Sequence, residues 1–213
     1  MDFLNKLIAA LVAYFTQKPV VKEPVPDAEI LESYMPLITQ SDLREIYGCT
    51  PELAEKFCLS LNEAMRTYGI VTPLRISHFL AQIGHESGRL RYTAEIWGPT
   101  PAQQRYEGRK DLGNTVPGDG SRFRGRGLIQ LTGRANYEKM SKVFGRDFIG
   151  SPQQLETPQW AALSAAWFWH NNGCNAMADA DDALALTRRI NGGTNGLEDR
   201  LKLLAKAKQV LGA

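Results

Sequence analysis

The stretch TPLRISHFLAQIGHESG, Thr72 to Gly88, decides the fold. Thr72 is a good helix N-cap, and Pro73 suits the first helical position, where a backbone N–H has no partner to lose. Ile76, Phe79, Leu80 and Ile83 then follow the i, i+3, i+4, i+7 spacing of a helix with one buried stripe. Gly88 closes it. The same opening recurs at Thr50-Pro51, whose helix ends at Gly69, and at Thr157-Pro158. The Thr157-Pro158 helix carries Trp160, Leu163, Trp167 and Phe168 on its apolar side and ends near Gly173. Two more helices are predicted over 181–190 and 197–211, parted by the Gly-rich run 191–196. Strand signals are few, with one short candidate at 124–131. Six glycines and three prolines lie between Trp97 and Gly127, which reads as long ordered loops of the kind that build sites.

The chain has 213 residues, 43% of them hydrophobic and 23% charged. That composition excludes wholesale disorder, a collagen-like fibre and a polytopic membrane protein. With 25 basic against 23 acidic residues, the net charge of +2 lacks the basic bias of a nucleic-acid binder, so none is expected as a partner. Cys49, Cys58 and Cys174 are an odd number without metal-ligand spacing. They read as small buried hydrophobes, with one bridge at most.

Residues 1–17 form a separate hydrophobic segment. Its apolar run, Leu7 to Phe15, lies between Lys6 and Lys18. As a helix it would be about 13–14 Å long, too short to span a hydrocarbon core of about 30 Å. A poor signal sequence, an interfacial or anchoring helix, and a helix docked on the domain all fit it. Residues 18–32 are a Pro-rich linker, with Pro19, Pro24 and Pro26 holding it extended. The globular region is 33–213.

Glu86 ends the Thr72–Gly88 helix beside Ile83. Apolar neighbours and the negative end of the helix dipole both favour a protonated carboxyl there, as a general acid needs. Taken alone, a glutamate near a helix end is more often simply solvated. Glu95 follows nine residues later, and a chain turning at Gly88 would bring it back towards Glu86. Paired carboxylates are the minimum equipment for glycoside hydrolysis: a wide separation inverts the anomeric carbon, a narrow one gives a covalent intermediate. The run GRGLIQLTGRAN, Gly125 to Asn136, lacks the glycine pattern of a dinucleotide or phosphate loop. It offers Gln130, Thr132 and Asn136, uncharged groups suited to sugar hydroxyls, N-acetyl groups or an attacking water. Asn191 to Gly196, with Gly192 and Gly193, permits close backbone approach to a ligand or forms a plain helix cap.

Together, the segments Ile83 to Gly88, Gly125 to Thr132 and Ile190 to Gly193 resemble, in order, three motifs of the family-19 glycoside hydrolases. The resemblance covers roughly 33–213. Within the family, the Glu86-to-Glu95 spacing and the WGPTP segment at Trp97 to Pro101 look nearest to phage and prophage endolysins. It implies a mainly α, lysozyme-like bilobal helical domain with long loops and at most a small β element. It also implies Glu86 as general acid, Glu95 as general base and Thr132 as holder of the attacking water, with His85, Gln130, Asn136, Asn191 and Arg200 binding the sugars. The implied reaction is inverting hydrolysis without metal or organic cofactor. Where the family often has an aromatic residue before the asparagine, this chain has Ala135, so that sugar contact is not expected.

The expected substrate is peptidoglycan, cut between N-acetylmuramic acid and N-acetylglucosamine. A chitinase and a non-catalytic wall-binding protein are the alternatives; a lytic transglycosylase would leave Glu95 without a task. The protein is expected to be a monomer made in the bacterial cytoplasm and acting on the periplasmic wall, with residues 1–17 a candidate inner-membrane tether. His78 and His170 read as packed rather than catalytic, and Trp167, Phe168 and Trp169 as core. Between Ser121 and Arg146, seven Lys or Arg face one acid, Glu138. That stretch would steer the protein to an anionic polymer, form a solvated face, or pair internally with Glu86 and Glu95.

Overall fold

The computed structural model describes residues 35–213, of which 36–213 form one compact unit. The N-terminal segment and the whole linker lie outside the described residues. Helix α1 (Gln40–Tyr47) opens with a reciprocal Thr39–Asp42 capping box. Helices α2 (Pro51–Thr67) and α3 (Pro73–Glu86) start as predicted, Thr50 and Thr72 each accepting a backbone N–H three residues on. At α7 (Pro158–Asn171) the proline is in place, but Thr157 donates its hydroxyl to the Gln154 carbonyl at 2.8 Å and does not cap. After α8 (Cys174–Asp179) come α9 (Ala183–Asn191), capped by Asp182, and α10 (Leu197–Leu211).

Helix α3 is central. It packs on α10 and α8, while α2 packs on α7 and α1 closes against both α2 and α10. The single apolar stripe expected for α3 is therefore too narrow: every residue from Ile76 to Gly84 is buried. Burial all round favours internal partners for the polar members, and among their buried atoms His78 Nδ1 is left without one. Ser77 donates to the Pro73 carbonyl at 2.8 Å, His78 Nε2 meets Asp181 at 2.7 Å, and Gln82 accepts from Arg200. Gly84 lies under the Tyr47 ring, where any Cβ would collide with it, and the Tyr47 hydroxyl reaches the Leu80 carbonyl at 2.7 Å.

Residues 88–133 are mostly loops and turns. Short helices α4 (Pro101–Gln104) and α5 (Asp119–Arg122) pack together, and a 3-10 turn at Lys110–Leu112 meets α6 (Arg134–Phe144). Where a strand was expected at 124–131, the described residues have two isolated antiparallel bridges, Ala94 to Arg126 and Arg126 to Leu131. The expected mainly α architecture with at most a small β element holds.

Trp169 is fully buried and meets Phe79 edge-on, while Trp167 and Phe168 are half-buried against the same core. His78 is packed as expected. His170 is not: it is exposed near the end of α7, beside the Tyr68 ring. All three cysteines are free, Cys49 and Cys174 buried and Cys58 half-buried. No helix among the described residues is long and apolar enough to cross a membrane.

Candidate active site

Glu86 is the last residue of α3, and the chain reverses immediately after it. Gly88, Arg89 and Leu90 take φ of 56°, 63° and 68°. Left-handed backbone is ordinary for glycine and uncommon for arginine or leucine. Here it is held from several sides: Arg89 N–H donates to the Gly84 carbonyl at 2.7 Å, Leu90 N–H to the Ser87 hydroxyl at 2.8 Å, and the Leu90 side chain is buried in the core. Gln130, in the second motif segment, is also left-handed at φ 56°. Strained backbone of this kind persists where surroundings impose it and clusters at functional sites.

The reversal returns the chain along the 125–127 segment. Gly127 N–H donates to the Thr93 carbonyl at 2.8 Å, and Glu95 N–H to the Gly125 carbonyl at 2.8 Å. Glu95 is thereby fixed to the Gly125–Thr132 run. Its Oε2 accepts from Gly125 N–H at 3.2 Å, and its Oε1 from Gln103 Nε2 at 3.0 Å and the Tyr106 hydroxyl at 3.5 Å. A Cβ on Gly125 would stand 2.8 Å from Gln130 Oε1 and 3.3 Å from Thr132 Oγ1, so Glu95, Gln130 and Thr132 gather around one glycine. Asn136 joins them through its amide, which donates to the Thr132 carbonyl at 2.8 Å.

A second group surrounds Glu86. Arg200, on the first turn of α10, is 1% exposed and places one guanidinium nitrogen on Gln82 and another on Glu86, whose side chain is 20% exposed. This corrects two expectations. The partner of Glu86 is a buried cation, not the apolar setting its stripe implied, and Arg200 is enclosed beneath Glu86, where it cannot line a groove as a sugar ligand. His85 Nδ1 meets Asp199 at 2.7 Å, and Arg89 Nη2 reaches the same carboxylate at 2.6 Å. Burial pushes the Asp199 carboxyl up, but His85 and Arg89 outweigh it and hold the group below its usual range. The His85 ring lies directly on Gly196, at φ 74°, where no Cβ would fit. Asn191 is exposed at the end of α9, its amide 3.5 Å from the Asn195 carbonyl. Thr194 to Asp199 line an open depression beside it.

The basic stretch does not pair with either glutamate. Arg126 meets Glu156 at 2.7 Å, Arg134 holds the buried Asp119 at 2.8 Å, and Arg122 donates to the Ile149 carbonyl at 2.8 Å. Lys139 and Lys142 on α6, and Arg146 just beyond its end, remain exposed. Among the described residues, no group of three or more His, Cys, Asp or Glu is placed to hold a metal ion.

No family model matches the chain. A glycosyl hydrolase family 19 domain-containing protein of Haemophilus influenzae is 34% identical over 163 residues, covering 63% of this chain and 79% of the relative. The chain belongs to glycosyl hydrolase family 19. An endochitinase of Arabidopsis thaliana is 35% identical over 126 residues, but the chain spans only 42% of that relative's length. This family-19 glycoside hydrolase shares its fold with chitinase C from Streptomyces griseus, at TM-score 0.67 and 21% identity over 83% of this chain and 77% of the other. A class IV chitinase from Zea mays gives TM-score 0.65 at 20% identity, over 83% and 94%.

Gln82, Arg89, Asp199, Gln103 and Tyr106 are the members of this arrangement that sequence reasoning missed. Gln82 carried a signal, since it lies one helical turn before Glu86 on a helix with no room for an unpaired amide. The other four are recruited across loops, and spacing along the chain does not report them.

Proposed function

We propose that the protein hydrolyses the β-1,4 bond between N-acetylmuramic acid and N-acetylglucosamine in peptidoglycan, by single displacement with inversion. The observation that carries this reading is a pair of carboxylates on either side of the reversal after α3: Glu86 at the helix end, one oxygen held by Arg200, and Glu95 fixed against the Gly125–Thr132 run. Two carboxyls are the minimum equipment for glycoside hydrolysis.

Arg200 occupies Oε1 of Glu86, leaving Oε2 to carry the proton to the glycosidic oxygen. As that bond breaks, positive charge develops on the anomeric carbon. A water attacks the opposite face and gives its proton to Glu95. The Thr132 hydroxyl donates to the Gln130 carbonyl at 3.0 Å, so its oxygen is left as an acceptor for the second hydrogen of that water. His85, Gln130, Asn136 and Asn191 bind the N-acetylhexosamine units, and Arg200 sets the direction of Glu86.

Peptidoglycan is favoured by the exposed Lys139, Lys142 and Arg146, which attract an anionic polymer, and by a hydrophobic N-terminal segment suited to holding the enzyme at the inner membrane beside the wall. Chitin is the second reading, favoured by the endochitinases and chitinases among the relatives. Digestion of purified peptidoglycan and of chitin, followed by borohydride reduction, separates them. New muramitol ends that vanish with Glu86→Gln support the first reading. Soluble oligomers from chitin, with no muramitol, establish the second. No product from either polymer indicates a binding protein.

A further inference from the structure

We propose that Gln103 is the positioning residue for Glu95, holding the carboxylate and its loop in one geometry. The proposal rests on the reading of Glu95 as general base. Gln103 is 5% exposed, and its side-chain amide is fully engaged. Its oxygen accepts from Gly98 N–H at 3.1 Å and Thr100 N–H at 2.8 Å. Its nitrogen donates to Glu95 Oε1 at 3.0 Å and to the Ile96 carbonyl at 2.8 Å. These partners fix the orientation of the amide, because only its nitrogen can donate to a carboxylate and a carbonyl.

One buried group therefore does two separable things. Through its oxygen it pins the 98–100 turn; through its nitrogen it sets Oε1 of Glu95 and the backbone that follows it. The opposite oxygen is set by Gly125 N–H, so the carboxylate is gripped from two sides. The donors are uncharged, which orients the base without engaging its charge in an ion pair. The titratable neighbour is Tyr106, whose phenol is raised above its usual range first by burial and then by Glu95. It reaches Oε1 at a longer 3.5 Å, so Gln103 dominates that oxygen.

Gln103→Glu separates the two tasks. A carboxylate still accepts from Gly98 and Thr100 but donates nothing, and it sets a like charge against Glu95. Gln103→Met removes both tasks while keeping the unbranched shape. Both variants, with Glu95→Gln as reference, are to be assayed on whichever polymer the wild-type enzyme cleaves, reading kcat, KM, Tm and the pH profile of kcat/KM. For Gln103→Glu the expected result is a kcat about tenfold to a hundredfold lower, KM little changed, and an acid limb moved to higher pH. Gln103→Met is expected to lower kcat and Tm together, and to move the acid limb the same way, because the carboxylate loses a hydrogen bond to its charged form. Wild-type kcat and an unmoved acid limb in Gln103→Glu overturn the proposal; should that variant not fold, an unmoved limb in Gln103→Met does so. If Glu95→Gln is inactive while these profiles stay unmoved, the positioning proposal alone fails. If Glu95→Gln retains wild-type activity, the base assignment fails and the proposal with it.

Discussion

Arg200 sits buried between Gln82 and Glu86, with one guanidinium nitrogen on each side chain. Two helices meet at this fork, since Gln82 and Glu86 are one turn apart on α3 and Arg200 lies on α10. The planar guanidinium can hold both partners at fixed angles, which an ammonium cannot. Arg200→Lys should therefore keep the charge and lose the geometry. We expect kcat to fall by about a hundredfold, with the loss in kcat rather than KM, measured by steady-state kinetics. A variant with unchanged kcat would show that Glu86 is directed by something else.

The Thr132 hydroxyl spends its proton on the Gln130 carbonyl. Thr132→Ser keeps both the proton and the acceptor lone pairs and should retain most activity. Thr132→Val keeps the shape and removes the acceptor. Its kcat should fall by about tenfold to a hundredfold with little change in Tm. Equal activity in the two variants would remove Thr132 from the chemistry.

Gly196 carries the His85 ring on a left-handed residue. Gly196→Ala strains the backbone, and its methyl group displaces the imidazole from Asp199. A stability loss of about 1–3 kcal/mol is expected from the strain and overpacking, read from the urea midpoint. KM should rise if His85 is the sugar ligand that the proposed function makes it. Wild-type KM in a folded Gly196→Ala protein would argue against that role.

Stability should depend on pH through α3. Burial pushes the His78 imidazole below the ordinary value of 6.5, against the opposing pull of Asp181. A histidine depressed in the folded state contributes stability that is present above the unfolded value and lost as pH falls through the folded one. The carboxyls of Asp181 and Asp199 are also held low, so their contribution is lost at still lower pH. Tm should accordingly begin to fall as pH drops below about 6.5. His78→Gln should be less stable at pH 7 and flatter over the first part of that fall. A Tm in the wild type that stays level down to the carboxylate range would contradict the assignment.

Much of this architecture is legible in the residues. Thr-Pro openings at 50 and 72 mark helix starts because N-cap and N1 preferences are local physics, at 157 the proline alone does so, and α10 runs Leu197–Leu211 as its pattern predicts. Helix α6 was not foreseen, since Gly133 gives it no side-chain cap and its first turn overlaps the motif run. The burial of α3 on all sides was hidden for another reason. Ser77 and Gln82 fall off the apolar stripe, and nothing along the chain shows that Arg200 comes to meet Gln82. Glu86, Glu95 and Thr132 were singled out through the family resemblance, their type and spacing alone being weak signals. The contacts that hold Glu86 and Glu95 were not legible, because Arg200 and Gln103 reach them across chain reversals that only the folded backbone creates.

The most direct test of the two-carboxylate account is the configuration of the first sugar released. A β-linked substrate is cleaved inside an NMR tube and the anomeric proton of the new reducing end is followed from the earliest turnovers, with Glu86→Gln and Glu95→Gln as controls. The account predicts an α-anomer that appears first, equilibrates later to the mixture, and is absent from both variants. A β-anomer appearing first would mean a covalent intermediate and contradict Glu95 as the base that activates water.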